Sequence, residues 1–194
     1  VSYHLPHILS TFSEVCGIEK QKVELGIDGC SAPNFAVPLY NAALGFARLC
    51  DPRELPARRA EACCKITSAM SAHPEMVSGY GEFDEQLMKV GQGKIITKRG
   101  AEGFQIVGLL PGVLRPDAPG IGIALKVSDG DASRMADDLT FSNRVRPAAT
   151  LEILRQLGVL SPEQEQALAG FGPVKSIQNH QNILTGQSRP AFKL

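Results

Sequence analysis

The order of apolar patterns along the chain predicts an α/β protein of the α+β type, in which an antiparallel sheet is flanked by helices. Segment 94–98 is rich in β-branched residues, segment 104–110 is apolar, and segment 120–127 places its large apolar residues on one face, as expected of strands. The turns between them, such as Pro111-Gly112, are too short for the crossover helices that parallel strands need. The three segments are therefore predicted to form an antiparallel meander.

Helices are predicted before and after this sheet. In segments 5–16, 38–50 and 56–71, apolar residues recur every three or four positions, which places them on one face of a helix. The many alanines of the second segment indicate that it packs closely against a neighbour. After the sheet, segment 147–157 has the same period, and Ser161-Pro162 is typical of the start of a short helix.

The composition excludes several classes of partner. Lys and Arg number 20 and Asp and Glu number 20, so the chain has no net charge with which to attract nucleic acid or an anionic membrane surface. No apolar run approaches the ~20 residues that a membrane-spanning helix requires. Five cysteines, an odd number without a secretory signal, indicate reduced thiols and a cytoplasmic location.

The chain is expected to be part of a larger protein. Val1 is not an initiator residue, so the sequence is predicted to begin within a longer chain or after processing, and the first alternative is favoured. Residues 1–174 are predicted to form the carboxy-terminal part of a single domain, and residues 175–194 a polar tail without a regular pattern. The expected partner is a companion segment encoded upstream, or a second copy of the chain in a homo-oligomer such as a dimer.

The stretch Gly26-Ile27-Asp28-Gly29-Cys30-Ser31-Ala32-Pro33-Asn34 has the composition of a specified loop. Glycine permits backbone angles that other residues avoid and proline fixes φ, so such a loop presents its side chains in a defined way. Asp28 and Cys30 lie two positions apart and can face the same space. Cys30 can be a small buried residue, a nucleophile or a metal ligand. Because a neighbouring carboxylate disfavours the thiolate unless a cation stands between them, a metal ligand is favoured over a nucleophile.

A second stretch, Lys98-Arg99-Gly100-Ala101-Glu102-Gly103, follows a predicted strand. A lysine at a strand end can hold a substrate carboxylate or assist proton transfer, which makes Lys98 a candidate catalytic residue. Glu102 is a candidate partner in substrate binding. The alternative for both residues is structural, because most lysines are solvated surface charges and a glutamate in this place can simply begin a turn.

Two further groups of residues give weaker signals. His73, in His73-Pro74-Glu75-Met76, is a candidate for substrate binding, but it can equally end a helix, since no base or metal signature lies beside it. Asp129 and Asp131 resemble the start of a calcium loop, yet the later ligands of an EF-hand are missing. A solvated turn is therefore predicted for these two aspartates.

Four motifs occur along the chain in a specific order. They are Gly26-Ile27-Asp28-Gly29-Cys30, Ala72-His73-Pro74-Glu75-Met76-Val77, Lys98 to Gly103, and Gly122-Ile123-Ala124-Leu125-Lys126 with Asp129-Gly130. Together, over about residues 1–170, they resemble the carboxy-terminal half of the Rhizobium-etli-type L-asparaginase II family. The resemblance implies a fold similar to serine β-lactamases and glutaminases, incomplete without an upstream half, in which Lys98-Arg99-Gly100 takes the place of a strand-borne Lys-Thr-Gly motif.

The resemblance also implies an activity, the hydrolysis of a small-molecule amide, L-asparagine, to L-aspartate and ammonia. By the same resemblance Cys30 is expected to bind zinc, Asp28 to lie behind it, and Lys98 to belong to the substrate site. The family's Ser-x-x-Lys nucleophile motif and its Cys-Ser-Gly-Lys segment do not occur in these 194 residues. The chain is therefore predicted to be incomplete as a catalyst. The alternative is a non-catalytic binding or interaction protein that retains the fold.

Overall fold

The computed structural model describes residues 5–131 and 145–194. The helices in this part of the chain are α1 (Leu5–Cys16), α2 (Leu39–Cys50), α3 (Ala57–Ala72), α4 (Glu75–Ser78), α5 (Phe83–Val90), α6 (Arg146–Gln156) and α7 (Pro162–Ala167). The strands are β1 (Glu24–Ile27), β2 (Pro33–Ala36), β3 (Ile95–Gly100), β4 (Phe104–Leu109), β5 (Ile121–Lys126), β6 (Lys175–Gln178) and β7 (Leu184–Ser188). The helices and strands that the sequence predicts are confirmed with almost the same bounds. None of the helices described here is both long enough and apolar enough to cross a membrane.

The central sheet is the antiparallel meander that the sequence predicts. Its strand order is β3-β4-β5, and each neighbouring pair is antiparallel. Lys98 lies opposite Ile106, and Phe104 lies opposite Lys126. The chain therefore has a mixed α+β architecture. The narrower likeness to serine β-lactamases and glutaminases stays a prediction.

One face of the central sheet packs on α5 and α6. Because alternate residues of a strand point to opposite faces, Ile95 of β3 shares this face with Val107 and Leu109 of β4. These side chains belong to a buried apolar cluster, whose removal from water stabilises the fold. The members of the cluster are Phe83, Leu87, Ile95, Val107, Leu109, Leu151, Leu154, Leu160 and Leu168.

The opposite face of the sheet packs on α2. Gly122 of β5 lies so near this helix that a Cβ at that position would overlap the carbonyl oxygen of Ala43. A Cβ at Gly108 of β4 would likewise collide with the thiol of Cys50. Small residues on both elements therefore allow the helix backbone to approach the sheet closely. The close packing predicted from the alanines of α2 is confirmed.

Two hairpins in the structure have no clear signal in the sequence. β1 and β2 pair antiparallel with Gly26 opposite Asn34, so the stretch interpreted as a loop is the turn of a hairpin together with its flanking strands. β6 and β7 form a second antiparallel pair, and the tail is thus more ordered than its sequence predicts. Nearly every residue of these four strands is exposed, so no alternation of apolar and polar residues marks them.

The solvated turn predicted for Asp129 and Asp131 is wrong for Asp131. This residue is 2% exposed, and its carboxylate accepts hydrogen bonds from the backbone N–H groups of Val145 at 2.8 Å and Arg146 at 3.3 Å. These donors lie at the start of α6, where backbone N–H groups have no partner within the helix. The sequence pattern misses this contact because it joins residues that are distant along the chain.

Candidate functional site

A large groove lies between the central sheet and the first three helices. Its volume is about 1010 Å³, and most of its lining is apolar. Besides side chains of α1, α2 and α3, the walls include Phe35 of β2 and Phe104 and Ile106 of β4. The basic side chains at its border are His7, Arg59, Lys98 and Arg99, and its lining within the described ranges contains no Asp or Glu. Two of these residues already have carboxylate partners, since Arg59 pairs with Glu14 and Arg99 pairs with Glu82. Lys98 is therefore the lysine of this border to which a negatively charged group can bind.

Lys98 lies where the end of β3 meets this groove. Its side chain is exposed, and its Nζ donates a hydrogen bond to the backbone carbonyl of Arg99 at 3.0 Å. No carboxylate in residues 5–131 or 145–194 forms an ion pair with it. The amino group is therefore available to a carboxylate of a bound substrate, with which it would form a charge-assisted hydrogen bond.

A buried polar network occupies the opposite face of the sheet beneath Lys98. At its centre is Gln105 of β4, which is 0% exposed. Its amide nitrogen donates hydrogen bonds to Asp84 Oδ1, at 2.8 Å, and to the hydroxyl of Thr97, and its amide oxygen accepts one from Arg146. A guanidinium can only donate hydrogen bonds, so the amide oxygen of Gln105 must face Arg146 and its NH₂ group must face Asp84. Arg146 therefore donates to Gln105, and Gln105 donates to Asp84.

Asp84 connects this network to the backbone beside Lys98. It lies in the first turn of α5 and is 1% exposed, and its Oδ2 accepts a hydrogen bond from the backbone N–H of Arg99 at 2.7 Å. Since β3 is at the edge of the sheet, its outer N–H groups lack a neighbouring strand. Asp84 supplies the acceptor that such a strand would otherwise provide.

Arg146 brings a positive charge into this buried region. Burial lowers the pKa of Arg146, and the carboxylates of Asp84 and Asp131 oppose that shift by favouring the charged form. The guanidinium also lies 6.0 Å from the centre of the Phe83 ring, within the range of a cation–π contact. Arg146 thus remains a cation and balances the negative charges of the buried carboxylates.

The turn between β3 and β4 contains Glu102. Its φ is +56°, in the left-handed region that residues other than glycine seldom adopt, and Gly103 follows at +71°. The carbonyl of Gly103 accepts a hydrogen bond from the N–H of Val127 at 2.9 Å, which joins this turn to the end of β5. Glu102 is therefore a turn residue with an exposed side chain, and its proposed part in substrate binding stays a prediction.

Asp28 and Cys30 lie in the turn between β1 and β2. The Oδ1 atom of Asp28 accepts hydrogen bonds from the backbone N–H groups of Cys30 at 2.9 Å and Ala32 at 3.0 Å, as in an Asx-turn. Ser31 has a left-handed φ of +61°. The carboxylate of Asp28 therefore shapes the turn through the backbone of Cys30, and the Cys30 thiol is exposed and forms no disulfide.

The described residues do not by themselves fit a zinc ion. In residues 5–131 and 145–194, no three side chains of His, Cys, Asp or Glu converge on one point. Structural zinc sites have four protein ligands and catalytic sites have three. The zinc-binding role that the family resemblance implies for Cys30 therefore needs ligands from elsewhere, and no step proposed below proceeds through a metal.

His73 lies at the C-cap of α3. Its backbone N–H donates to the carbonyl of Ala69 at 3.0 Å, and its exposed ring places Nδ1 3.4 Å from Glu75 Oε1. It thus ends a helix, as one of the two interpretations predicts. Its role in substrate binding stays a prediction.

The groove brings together only some of the predicted site residues. Lys98 lines the groove, and so does Phe35, which belongs to the hairpin that contains Asp28 and Cys30. The sequence pattern missed the buried residues behind Lys98, namely Asp84, Thr97, Gln105 and Arg146. Gln105 alone has a visible signal, because it is the one polar residue in the apolar strand segment 104–110.

These features define a mixed α+β protein with a lysine on an edge strand beside a large groove. The family model for L-asparaginase II matches residues 5–190. The chain therefore belongs to the L-asparaginase II family, as its four motifs predict. The match continues past the region of those motifs and includes the β6–β7 hairpin. No curated protein matches the chain.

Proposed function

We propose that this protein is an asparaginase-like amidohydrolase, which releases ammonia from the side-chain amide of L-asparagine. The supporting observation is the position of Lys98, an exposed cation without a carboxylate partner in the described ranges, at the border of the groove in a member of the L-asparaginase II family. Asparagine has a carboxylate that such a cation can hold. Held in this way, its amide is oriented for attack.

In this proposal the nucleophile comes from polypeptide outside the 194 residues. No Ser-x-x-Lys motif occurs in them, and an unactivated hydroxyl is a weak nucleophile. A serine whose proton is taken by a lysine attacks the amide carbon, and the lysine returns that proton to the departing nitrogen, which leaves as ammonia. Water then hydrolyses the acyl-enzyme ester, which releases aspartate and restores the serine hydroxyl. Lys98 takes part by holding the substrate while these bonds form and break.

The apolar groove supports the presence of a further segment or subunit. Asparagine is small and polar, whereas the groove has a volume of about 1010 Å³ and mostly apolar walls. Ile8 and Ile66 at its border are 51% and 48% exposed. Polypeptide packed here would remove these side chains from water and close the Lys98 site on one side. We propose an upstream segment or a second copy of the chain for this role.

The other site roles rest on the family resemblance. Asp28, His73 and Glu102 are proposed to contact the substrate, and Cys30 is proposed to bind zinc together with ligands from the additional polypeptide. A cytoplasmic location is supported by the cysteines, none of which forms a disulfide.

The test is an assay of ammonia release from L-asparagine, with the protein expressed together with any polypeptide encoded directly upstream of Val1. We expect Lys98→Ala to lower kcat/KM by about 100-fold or more, because a charge-assisted contact to the substrate is lost. Lys94→Ala is the matched control, since it removes an exposed lysine immediately before the same strand. Equal activity in both variants would refute the assignment of Lys98.

The second candidate is a non-catalytic binding protein, which the missing Ser-x-x-Lys motif favours. The reading frame directly upstream of Val1 discriminates between the two. Ser-x-x-Lys and Cys-Ser-Gly-Lys encoded there would exclude the second candidate. A stop codon there, together with asparagine binding but no ammonia release, would exclude the hydrolase.

A further inference from the structure

Asp84 lies behind the strand end that presents Lys98, and it contacts that strand through the backbone. We propose that Asp84 is a positioning residue of the Lys98 site: it fixes the end of β3 and thereby the direction in which the Lys98 side chain points. This proposal rests on the proposed function for what Lys98 acts upon. Its geometric part, the control of Lys98 by Asp84, is independent of the substrate.

The first step of the argument is the peptide group that joins Lys98 to Arg99. The N–H of this group donates to Asp84 Oδ2 at 2.7 Å, so the carboxylate fixes the peptide plane that begins at the Cα of Lys98. On the other side of Arg99, its carbonyl accepts a hydrogen bond from Lys98 Nζ at 3.0 Å. The backbone of Arg99 therefore connects the buried carboxylate to the exposed amine.

The second step is that Asp84 cannot turn away from this peptide. Its other oxygen accepts from Gln105 at 2.8 Å, and Gln105 is oriented by Arg146 on its far side. If Asp84 rotated, a buried donor would lose its acceptor, which is unfavourable at a site where Asp84 and Gln105 are almost fully buried. The network thus holds the acceptor in one place at the edge of β3.

The third step separates positioning from stability in general. Glu85, the next residue in α5, is also fully buried, but its carboxylate contacts Lys89 and the N–H of Gly81 rather than β3. Asp84→Asn and Glu85→Gln therefore make the same chemical change at neighbouring buried positions. Only Asp84→Asn removes an acceptor from the network behind Lys98. The asparagine would have to present its NH₂ group either to the N–H of Arg99 or to the NH₂ group of Gln105, and both of these are donors.

The geometric part is tested by NMR on the protein. The lysine side chains are labelled by ¹³C-dimethylation, and the methyl signal that is absent in Lys98→Arg is assigned to Lys98. The backbone amide signal of Arg99 is recorded in the same variants. We expect Asp84→Asn to shift both signals and Glu85→Gln to leave both in place. If Asp84→Asn does not fold, Asp84→Glu, which displaces the carboxylate by one methylene group, must shift the same signals. Unchanged signals in a folded Asp84 variant would overturn the proposal.

The kinetic part uses ammonia release from L-asparagine by the active protein. We expect Asp84→Asn to lower kcat/KM by about 10-fold. If Lys98→Ala acts on KM, Asp84→Asn should also act on KM, and if Lys98→Ala acts on kcat, Asp84→Asn should also act on kcat. In the Lys98→Ala background it should have no further effect, because it acts through Lys98. Additive losses, or an equal loss in Glu85→Gln, would overturn the positioning role. Full activity of Lys98→Ala would refute the assignment of Lys98, and no ammonia release by the unmodified protein would refute the proposed function. In both cases the NMR result still decides the geometric part.

Discussion

The carbonyl oxygen of Ala43 in α2 lies where the side chain of any other residue at Gly122 of β5 would begin. Helix and sheet thus contact each other backbone to backbone. The same helix borders the groove with Ala42 and Phe46, and Lys98 of the same sheet also lines it. The contact between Ala43 and Gly122 therefore sets the distance between two walls of the candidate site.

Gly122→Ala should destabilise the protein by about 2–3 kcal/mol, because the added methyl group forces the helix away from the sheet. The measurement is the free energy of unfolding in urea. Gly186→Ala is the control, since Gly186 lies in β7 with open space where the methyl group would be added and has no left-handed φ. A loss below about 0.5 kcal/mol for Gly122→Ala would contradict this account of the packing.

Asp28 variants should separate the shape of the hairpin turn from the charge of the carboxylate. Asparagine at position 28 retains the Oδ1 acceptor for the N–H groups of Cys30 and Ala32, whereas alanine removes it. We expect Asp28→Ala to lower the free energy of unfolding by about 1 kcal/mol and Asp28→Asn to lower it less. If the carboxylate also contacts substrate, Asp28→Asn should lose ammonia release while it keeps its stability. Full activity in Asp28→Asn would restrict this residue to its role in the turn.

The five thiols should fall into two reactivity classes. Burial raises the pKa of Cys16 to about 11 and the pKa of Cys50 to about 12, and it also raises the pKa of Cys63. At pH 8 a thiol with a pKa near 11 is a thiolate in about one molecule in 1000. In a titration with a chromogenic disulfide reagent, the exposed Cys30 and Cys64 should react first, and the buried thiols about 100-fold more slowly or only after unfolding.

Cys30→Ser is the control for this titration, because it should remove half of the fast phase and leave the slow phase unchanged. Added zinc should slow Cys30 but not Cys64 if the protein supplies the remaining ligands proposed above. Rapid reaction of all five thiols in the folded protein would show that α1, α2 and α3 do not bury their cysteines as described.

The sequence by itself determined the elements whose signal is local. The apolar period of α1, α2, α3 and α6 is visible within single segments, because the apolar residues of each helix recur every three or four positions. The meander follows from short connections between apolar strands, and the family follows from motifs that stand in order along the chain. Lys98 was expected to be the last residue of its strand, whereas β3 continues for two more residues to Gly100, and the chemical role of Lys98 stays a proposal.

Only the tertiary structure decided the features that join distant residues. The strands of the β1–β2 and β6–β7 hairpins are exposed and have no apolar period, so pairing between strands defines them. Asp84, Gln105 and Arg146 meet beneath Lys98 from three separate elements, and Asp131 is buried by its contact with the start of α6. Hydrogen bonds between remote segments leave no periodic pattern in the sequence. A polar residue type can be buried or solvated, and the sequence alone does not distinguish the two environments.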